Sequence, residues 1–233
     1  MQYHHIQQAV FLQRPNRFVA RVQLPDGSEL RAHVKNTGRC AELLVPGATV
    51  YLEYSARPGR TTPCDLVAVE KVTPRGRLLI NMDSAAPNAA AGEWLAAGGL
   101  GPLQQLRAEQ TVEDSRFDFA AMQQDRRVLV EVKGCTLEQD GVARFPDAPT
   151  LRGLKHVREL TGFARQGWRC CVLVVIQMTG VQRFCPNWDT HREFGLALRE
   201  AADAGVEVRA MDCLVTPDSM VLGAPVPVDL SPP

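Results

Sequence analysis

Two apolar segments in the middle of the chain carry charged side chains that a buried strand does not need. The first places Asp118 between Phe117 and Phe119, and the second places Glu131 and Lys133 among valines. Side chains alternate between the faces of a strand, so Glu131 and Lys133 are predicted to share one face. Charges are rarely buried unless they are paired or bind a metal. Two acids and a lysine on neighbouring strands therefore predict a site that holds a divalent cation and a nucleophilic water for phosphodiester cleavage.

Mg²⁺, or Mn²⁺ in its place, is the cation that these side chains predict, because it binds one or two carboxylates and keeps several waters. Asp118 and Glu131 would supply the carboxylate oxygens, and the main-chain carbonyl of Val132 is a third candidate ligand. Lys133 would orient or deprotonate the attacking water. Glu109, upstream of Asp118, is a candidate for a second ion or a metal-bound water. The alternative is a set of surface acids that form salt bridges at strand ends.

The charge of the chain is unevenly distributed along its 233 residues. The formal net charge is zero, with 26 basic and 26 acidic residues. Residues 1–82 hold eleven of the basic and six of the acidic residues, and residues 83–233 hold fifteen and twenty. A basic first part indicates attraction to a polyanion, and an acidic second part fits a cation site. An imbalance of this size is also within ordinary variation.

The sequence predicts a cytoplasmic protein that does not enter a membrane. It has no stretch of eighteen apolar residues and no charged and apolar leader at its start. Its seven cysteines are odd in number and show no CxxC spacing, which argues against a disulfide framework or a structural zinc. The oligomeric state is left open, with a homodimer as one candidate.

Periodicity divides the chain into two predicted domains. Residues 1–82 read as five or six short alternating strands, separated by turns such as Pro25-Asp26-Gly27-Ser28. This spacing predicts a small β-barrel of the oligonucleotide/oligosaccharide-binding (OB) type. Residues 83–233 mix helices and strands, which predicts a mixed α/β sheet. The tail after Pro217 is Pro-rich and is predicted to be irregular.

The predicted elements of the second domain can be given with bounds. We expect helices at Pro87–Ala97, from Pro149 to Gly167 and at Glu193–Ala204, and strands at 106–112, 115–122, 126–133, Arg169–Gln177 and Val206–Ala210. The strand from Arg169 is almost continuously apolar, which is typical of a strand covered on both faces.

Polar and basic residues of the first domain are candidates for nucleic-acid binding. Asn36, Thr37 and Arg39 flank a glycine in a loop that could approach a phosphate or base. Arg14 and Arg17 belong to a scatter of arginines that could form a basic groove for a single strand. The alternatives are a plain turn and ordinary surface charge.

The helix predicted from Pro149 carries a second group of candidates. Arg152, Lys155 and His156 fall within one helical turn, and Glu159 lies on the same predicted exposed face. A helix start favours anions, so this basic face would suit a phosphate near the acid cluster. The alternative is a solvated helix face with Asp147 as a partner of the helix dipole.

The chain resembles the sugar fermentation stimulation protein A family over nearly its full length. The matching residues fall in both predicted domains and are densest in the central block. They are Asn36-Thr37-Gly38-Arg39, Glu42-Leu43-Leu44, Pro46-Gly47, Tyr54, Asp65-Leu66-Val67, Ile80-Asn81, Glu109, Ser115-Arg116-Phe117-Asp118-Phe119, Glu131-Val132-Lys133, Thr136-Leu137, Phe145-Pro146-Asp147-Ala148, Thr150, Arg152-Gly153, Lys155-His156, Phe184 and Pro186-Asn187.

The resemblance implies an OB-type barrel followed by a domain like the restriction-endonuclease-type nucleases with an Asp…Glu-x-Lys core. Asp118, Glu131 and Lys133 take the core positions, and Glu109 takes that of the upstream acid. It also implies DNA binding and a regulatory link to sugar (maltose) metabolism. Two functions therefore stay open, a Mg²⁺-dependent deoxyribonuclease and a DNA-binding regulator without significant turnover. A carbohydrate-binding barrel is a third, which the low aromatic content of 6% disfavours.

Overall fold

The fold is that of a computed structural model, which describes residues 1–36, 38–54, 59 and 61–233. Thr37, one of the loop candidates, lies outside this range. Within the part of the chain that is described, no helix is long and apolar enough to span a membrane. All seven cysteines are buried.

The N-terminal part is a closed five-stranded barrel with a sixth strand beside it. Antiparallel pairs join neighbours in the order β3-β2-β1-β4-β5, and a parallel pairing of β3 with β5 closes the barrel. The sixth strand pairs with β5. The strands are β1 Ile6–Asn16, β2 Val19–Gln23, β3 Glu29–Val34, β4 Thr49–Tyr54, β5 Cys64–Thr73 and β6 Gly76–Asn81. Alternating apolar residues fill the barrel interior, as the period-2 pattern predicts.

The C-terminal part is a six-stranded mixed sheet with helices on both faces. Its strand order is β15-β14-β12-β9-β8-β7, in which β9, β12 and β14 run parallel. A small three-stranded sheet, β10-β11-β13, flanks it. The elements are α1 Ala86–Ala96, β7 Gln104–Val112, β8 Ser115–Gln123, β9 Arg126–Cys135, β10 Leu137–Gln139, β11 Val142–Phe145, α2 Leu151–Arg165, β12 Arg169–Ile176, β13 Arg183–Pro186, α3 Arg192–Asp203, β14 Glu207–Thr216 and β15 Ser219–Val226.

The two faces of the large sheet have separate hydrophobic cores. Helix α1 packs on one face with Val130 and Val132 of β9. Helices α2 and α3 pack on the other face with Leu129 of β9 and Val172 of β12. Strand β12 is buried along almost its whole length, as its apolar run predicts. The central strand β9 therefore presents successive residues to two different helical layers.

The barrel and the sheet domain are joined by a shared core and by buried polar contacts. One hydrophobic cluster includes residues of both parts, such as Leu66 of the barrel and Ile176 of the sheet. Lys71 of the barrel is partly buried and forms an ion pair with the buried Glu138, with 2.6 Å between Nζ and Oε2. The Gln177 side-chain amide donates to the carbonyl of Asn81 at 3.0 Å. These contacts fix the position of the barrel against the carboxyl ends of β9 and β12.

The prediction of an irregular tail after Pro217 is wrong. Residues Ser219–Val226 form β15, an edge strand that pairs antiparallel with β14. Strands β10, β11 and β13 also have no counterpart among the elements predicted from the sequence. Proline is tolerated on an edge strand because its missing N–H can face solvent, so the Pro-rich composition did not exclude a strand.

Candidate active site

The acid cluster forms where strands β8 and β9 stop pairing. Their ladder runs from Gln123↔Arg126 to Phe119↔Val130, so Asp118 and Glu131 follow directly beyond its last pair. Without a regular ladder at this point, main-chain groups of both strands are available to other partners. The main-chain groups at the end of the ladder can therefore form hydrogen bonds with the two acids.

Strand β8 changes faces at Asp118, which the alternation rule did not predict. Phe117 packs on the α2 face, with its ring centroid 5.5 Å from that of His156. Phe119 packs on the α1 face, in the core cluster that includes that helix. Two residues two positions apart point to the same side in a regular strand, so the chain is irregular at Asp118. This irregularity places the carboxylate in the gap between the two strands.

The Asp118 carboxylate is held by two neutral donors. Val132 N–H donates to Oδ2 at 2.7 Å, and the side-chain amide of Asn88, on α1, donates to Oδ1 at 2.7 Å. Burial raises the pKa of Asp118 above its usual value, and the negative charge of Glu131 raises it further. The protein thus fixes the position of this carboxylate without neutralising its charge. Each oxygen still has a lone pair for a cation.

Glu131 is the most buried acid of the cluster, with 3% of its surface exposed. Its Oε1 accepts hydrogen bonds from Lys133 Nζ at 2.5 Å and from His156 Nδ1 at 2.6 Å. Burial raises the pKa of Glu131, but the hydrogen bond from His156 and the charge of Lys133 outweigh it and hold the pKa below its usual range. Its Oε2 is buried and has no hydrogen-bond partner. Glu131 and Lys133 share a face of β9, as the alternation predicts.

The unpartnered oxygen of Glu131 is the feature that best fits a bound cation. A buried carboxylate oxygen without a partner carries a large desolvation cost, and a hard cation would offset it. Among the described residues, no group of three or more His, Cys, Asp or Glu side chains has the geometry of a metal site. Mg²⁺ does not need such a group, because waters complete its octahedron around one or two carboxylates. The carboxylate oxygens of Asp118 and Glu131 are therefore of the type that a Mg²⁺ ion takes.

Glu109 does not join the cluster. It lies on β7 between residues that pair with Phe117 and Phe119, which puts its backbone opposite Asp118. Its side chain is 66% exposed and forms an ion pair with Arg116, with 3.6 Å between Oε2 and Nη1. The structure thus places the predicted upstream acid at the surface, paired with Arg116, and its role beside a metal stays a prediction.

Arg14 is engaged by the main chain on either side of the predicted binding loop. Its guanidinium donates to the carbonyls of Arg17, Asn36, Gly38 and Arg39 at 2.6–2.9 Å. Four acceptors use most of the five donors of the side chain. These bonds use donors that a phosphate contact would need, and nucleic-acid binding by Arg14 stays a prediction.

The other barrel candidates remain accessible. Arg39 and Arg17 are exposed, and the Arg17 guanidinium lies 4.8 Å from the centre of the exposed Phe18 ring. Asn36 Oδ1 accepts from the Gly38 N–H at 2.8 Å, which folds the loop. These residues form a polar edge of the barrel.

Helix α2 divides its basic residues between solvent and the acid cluster. Arg152 and Lys155 are exposed near its first turn, as expected. His156 is only 5% exposed and binds Glu131, so its expected place on the exposed face is corrected. The signal was present in the sequence, since His156 lies four residues before Leu160 and thus on the buried stripe of the helix.

Asn88 and Gly134 are site residues that the sequence reasoning missed. Asn88 orients Asp118 from the first turns of α1. A Cβ on Gly134 would lie 2.7 Å from both Gln177 Oε1 and Pro87 Cγ. The glycine next to Lys133 is therefore required for α1 and β12 to approach this end of β9. Neither residue belongs to a recognisable spacing, because both act through contacts distant in sequence.

Fold and site together define a two-part α/β protein, in which a small closed barrel precedes a mixed sheet that carries a cluster of two acids and a lysine. Two family models match the chain. One is described as "SfsA N-terminal OB domain" and covers residues 12–79, and the other as "Sugar fermentation stimulation protein RE domain" and covers residues 85–219.

Known relatives match along the whole chain. A sugar fermentation stimulation protein homolog of Desulfitobacterium hafniense (strain Y51) is 49% identical over 230 residues, with 99% of both chains covered. One from Clostridium beijerinckii is 45% identical over 221 residues, covering 94% of this chain and 96% of the other. The solved structure of Pyrococcus furiosus SfsA in complex with Ca²⁺ is 26% identical, with a TM-score of 0.85 and 98% of both chains covered. The chain belongs to the sugar fermentation stimulation protein (SfsA) family.

Proposed function

We propose that this protein binds DNA and hydrolyses its phosphodiester bonds with Mg²⁺, or Mn²⁺ in its place, at the cluster of Asp118, Glu131 and Lys133. The observation that carries the proposal is the buried, unpartnered Oε2 of Glu131 beside an ammonium group. The Ca²⁺ complex of the Pyrococcus furiosus relative supports a divalent cation in this family. The family model that covers the second domain is described as an RE domain, which supports a nuclease-type fold.

Each residue of the cluster has a defined task in this proposal. A bound Mg²⁺ would polarise the scissile phosphate and lower the pKa of a bound water. Asp118 and Glu131 would hold the ion, together with the main-chain carbonyl of Val132. Lys133 would orient the attacking water and balance the charge that develops on the phosphate. His156 would keep the Glu131 side chain in position, since it binds Oε1 and leaves Oε2 for the ion.

DNA would reach the cluster past the exposed basic residues of α2 and of the barrel. Arg152 and Lys155 are exposed on α2, whose neighbouring His156 binds Glu131. Arg39 and the stacked Arg17–Phe18 pair extend the polar surface to the barrel. Arginine and lysine contacts to phosphates fix the register of a strand without reading its sequence. We therefore expect binding that depends on salt concentration.

A second candidate is a DNA-binding regulator of sugar metabolism that turns over slowly or not at all. One observation favours it, because the Lys133 ammonium lies 2.5 Å from the Glu131 carboxylate and is therefore engaged. In that case the cluster would be a structural ion network, and DNA binding would remain.

A cleavage assay separates the two candidates. Wild-type protein is incubated with single-stranded and double-stranded DNA in the presence of Mg²⁺, Mn²⁺ or EDTA, together with Asp118→Asn and Lys133→Met. Asp125→Asn is the control, because Asp125 is an exposed acid at the other end of the same β8–β9 hairpin. Metal-dependent cleavage by wild type and by the control, with at least a hundredfold loss in the two site variants, supports the nuclease. Salt-sensitive binding without cleavage in any sample supports the regulator.

A further inference from the structure

A polar cavity lies at the junction between the barrel and the sheet domain. It has a volume of about 660 Å³ and opens between the β5–β6 turn and the small sheet β10-β11-β13. This volume is within the range of small-molecule sites, roughly 300–1,000 Å³. Its charged lining residues are Lys71, Arg75, Arg144, Arg183, Glu138 and Asp140. None of these side chains belongs to the acid cluster.

The charges of this junction cavity are not balanced. Lys71 and Glu138 neutralise each other in their ion pair. The remaining side chains are Arg75, Arg144 and Arg183 against Asp140. Within the described ranges of the chain, none of these three arginines forms a salt bridge with a carboxylate. Nε of Arg144 is moreover buried without a hydrogen-bond partner. Asp229 attracts Arg183 from outside the lining, and Glu138 also attracts Arg75. Three guanidinium cations with one further lining acid and an unsatisfied buried donor still leave the cavity short of negative charge and of acceptors.

The backbone brings the three guanidinium groups to one opening. Strands β11 and β13 pair in parallel with Val142 opposite Arg183, so Arg144, two residues after Val142, lies on the same face as Arg183. Arg75 reaches this face from the barrel and passes over Gly141. A Cβ on that glycine would lie 2.1 Å from Arg75 Nη1. The turn between β10 and β11 therefore leaves room for an arginine of the other domain.

We propose that the junction cavity is a phosphate-binding site formed by Arg75, Arg144 and Arg183. A phosphate group offers several acceptor oxygens and up to two negative charges, and the planar guanidinium binds it through paired hydrogen bonds. The group can belong to a free phosphorylated compound or to the backbone of a nucleic acid. Arg144 also lines a smaller polar cavity of about 140 Å³, which contacts Gly134 next to Lys133. A bound strand would thus have a polar path from this cavity toward the acid cluster.

Binding measured in EDTA tests the phosphate site without the metal-dependent chemistry, so its result is independent of any nuclease activity. Calorimetric titrations use pyrophosphate and a single-stranded oligonucleotide, each against wild type and the double variant Arg144→Gln/Arg183→Gln. Arg199→Gln is the matched control, since Arg199 is an exposed arginine on α3. The single variant Arg183→Gln keeps the test valid if the double variant is unstable, because Arg183 is exposed.

The two sources of the phosphate give different results. A free phosphorylated ligand is indicated if pyrophosphate binds wild type and the control, and its affinity falls about tenfold or more in the variants. A nucleic-acid backbone is indicated if only oligonucleotide binding weakens. The slope of log K against log salt concentration should then fall by roughly 0.7 for each lost contact. The proposal is overturned if both ligands bind the variants as they bind the control, or if neither binds wild type.

Discussion

Replacing His156 by alanine should strongly destabilise the protein, even without metal or DNA. The imidazole is 5% exposed and donates to Glu131 Oε1 at 2.6 Å. Its removal leaves the buried carboxylate with Lys133 as its remaining side-chain donor. Losing a hydrogen bond to a charged group costs about 1.5–3 kcal/mol. For a protein of more than 150 residues, this corresponds to a decrease in Tm of roughly 3–12 °C.

A double-mutant cycle isolates the part of this loss that comes from the pair. Unfolding by urea in EDTA is measured for wild type, His156→Ala, Glu131→Gln and the double variant. The loss of unfolding free energy in the double variant should be smaller than the sum of the two single losses by about 1.5–3 kcal/mol. This is the contribution of a hydrogen bond to a charged group.

His191→Ala provides the control for this cycle. His191 is also buried, at 7% exposed, but its Nδ1 accepts from the Thr150 N–H at 3.2 Å at the start of α2. Combined with Glu131→Gln it should show a coupling energy of less than about 0.5 kcal/mol. A coupling for His156 that is equally small would refute the assignment of His156 as the residue that positions Glu131.

Three further predictions concern Asp118, Glu131 and the contact between the domains. Asn88→Ala should weaken Mn²⁺ binding about tenfold without unfolding the protein, because Asp118 loses a donor that orients it. Titration of Mn²⁺ followed by electron paramagnetic resonance measures the affinity. An unchanged affinity would contradict the prediction. Since the pKa of Glu131 in the fold lies below its usual 4.5, its ionised form stabilises the protein above about that pH and this stability is lost as the pH falls further. Metal-free wild type should therefore lose its stability advantage over Glu131→Gln below pH 4.5, and a pH-independent difference in urea unfolding would contradict the shift. Lys71→Met should lower the free energy of unfolding in urea by about 3–5 kcal/mol, because Glu138 stays buried without its partner. The double variant Lys71→Met/Glu138→Leu should recover most of this loss. Equal losses in the two variants would show that the ion pair does not contribute to stability.

The periodicity of apolar and charged residues predicted the individual strands and the faces of their side chains. The alternation of apolar and charged residues placed Glu131 and Lys133 on one face of β9, where the structure has them. The barrel strands followed from period-2 segments and turns, and the buried strand from Arg169 followed from its continuous apolar run. These features depend on the pleat and on helical periodicity, which are properties of a short segment.

Features that depend on tertiary contacts could not be predicted in the same way. The change of face at Asp118 arises because Phe117 and Phe119 pack in different cores, which a regular alternation does not show. Arg14 carries a charge like any DNA-binding arginine, and only the folded loop shows that four carbonyls use its donors. Asn88 reaches Asp118 from thirty residues away. The residues that could act chemically were therefore visible in the sequence, but the residues that orient them were not.

Anomalous diffraction from crystals soaked in Mn²⁺ tests the central claim most directly. We expect one peak about 2–2.5 Å from an oxygen of Asp118 and from Oε2 of Glu131, and no such peak in crystals of Asp118→Asn. A saturating soak that leaves this position empty, while Mn²⁺ binds elsewhere or not at all, would contradict the assignment of the cluster as a metal-dependent active site.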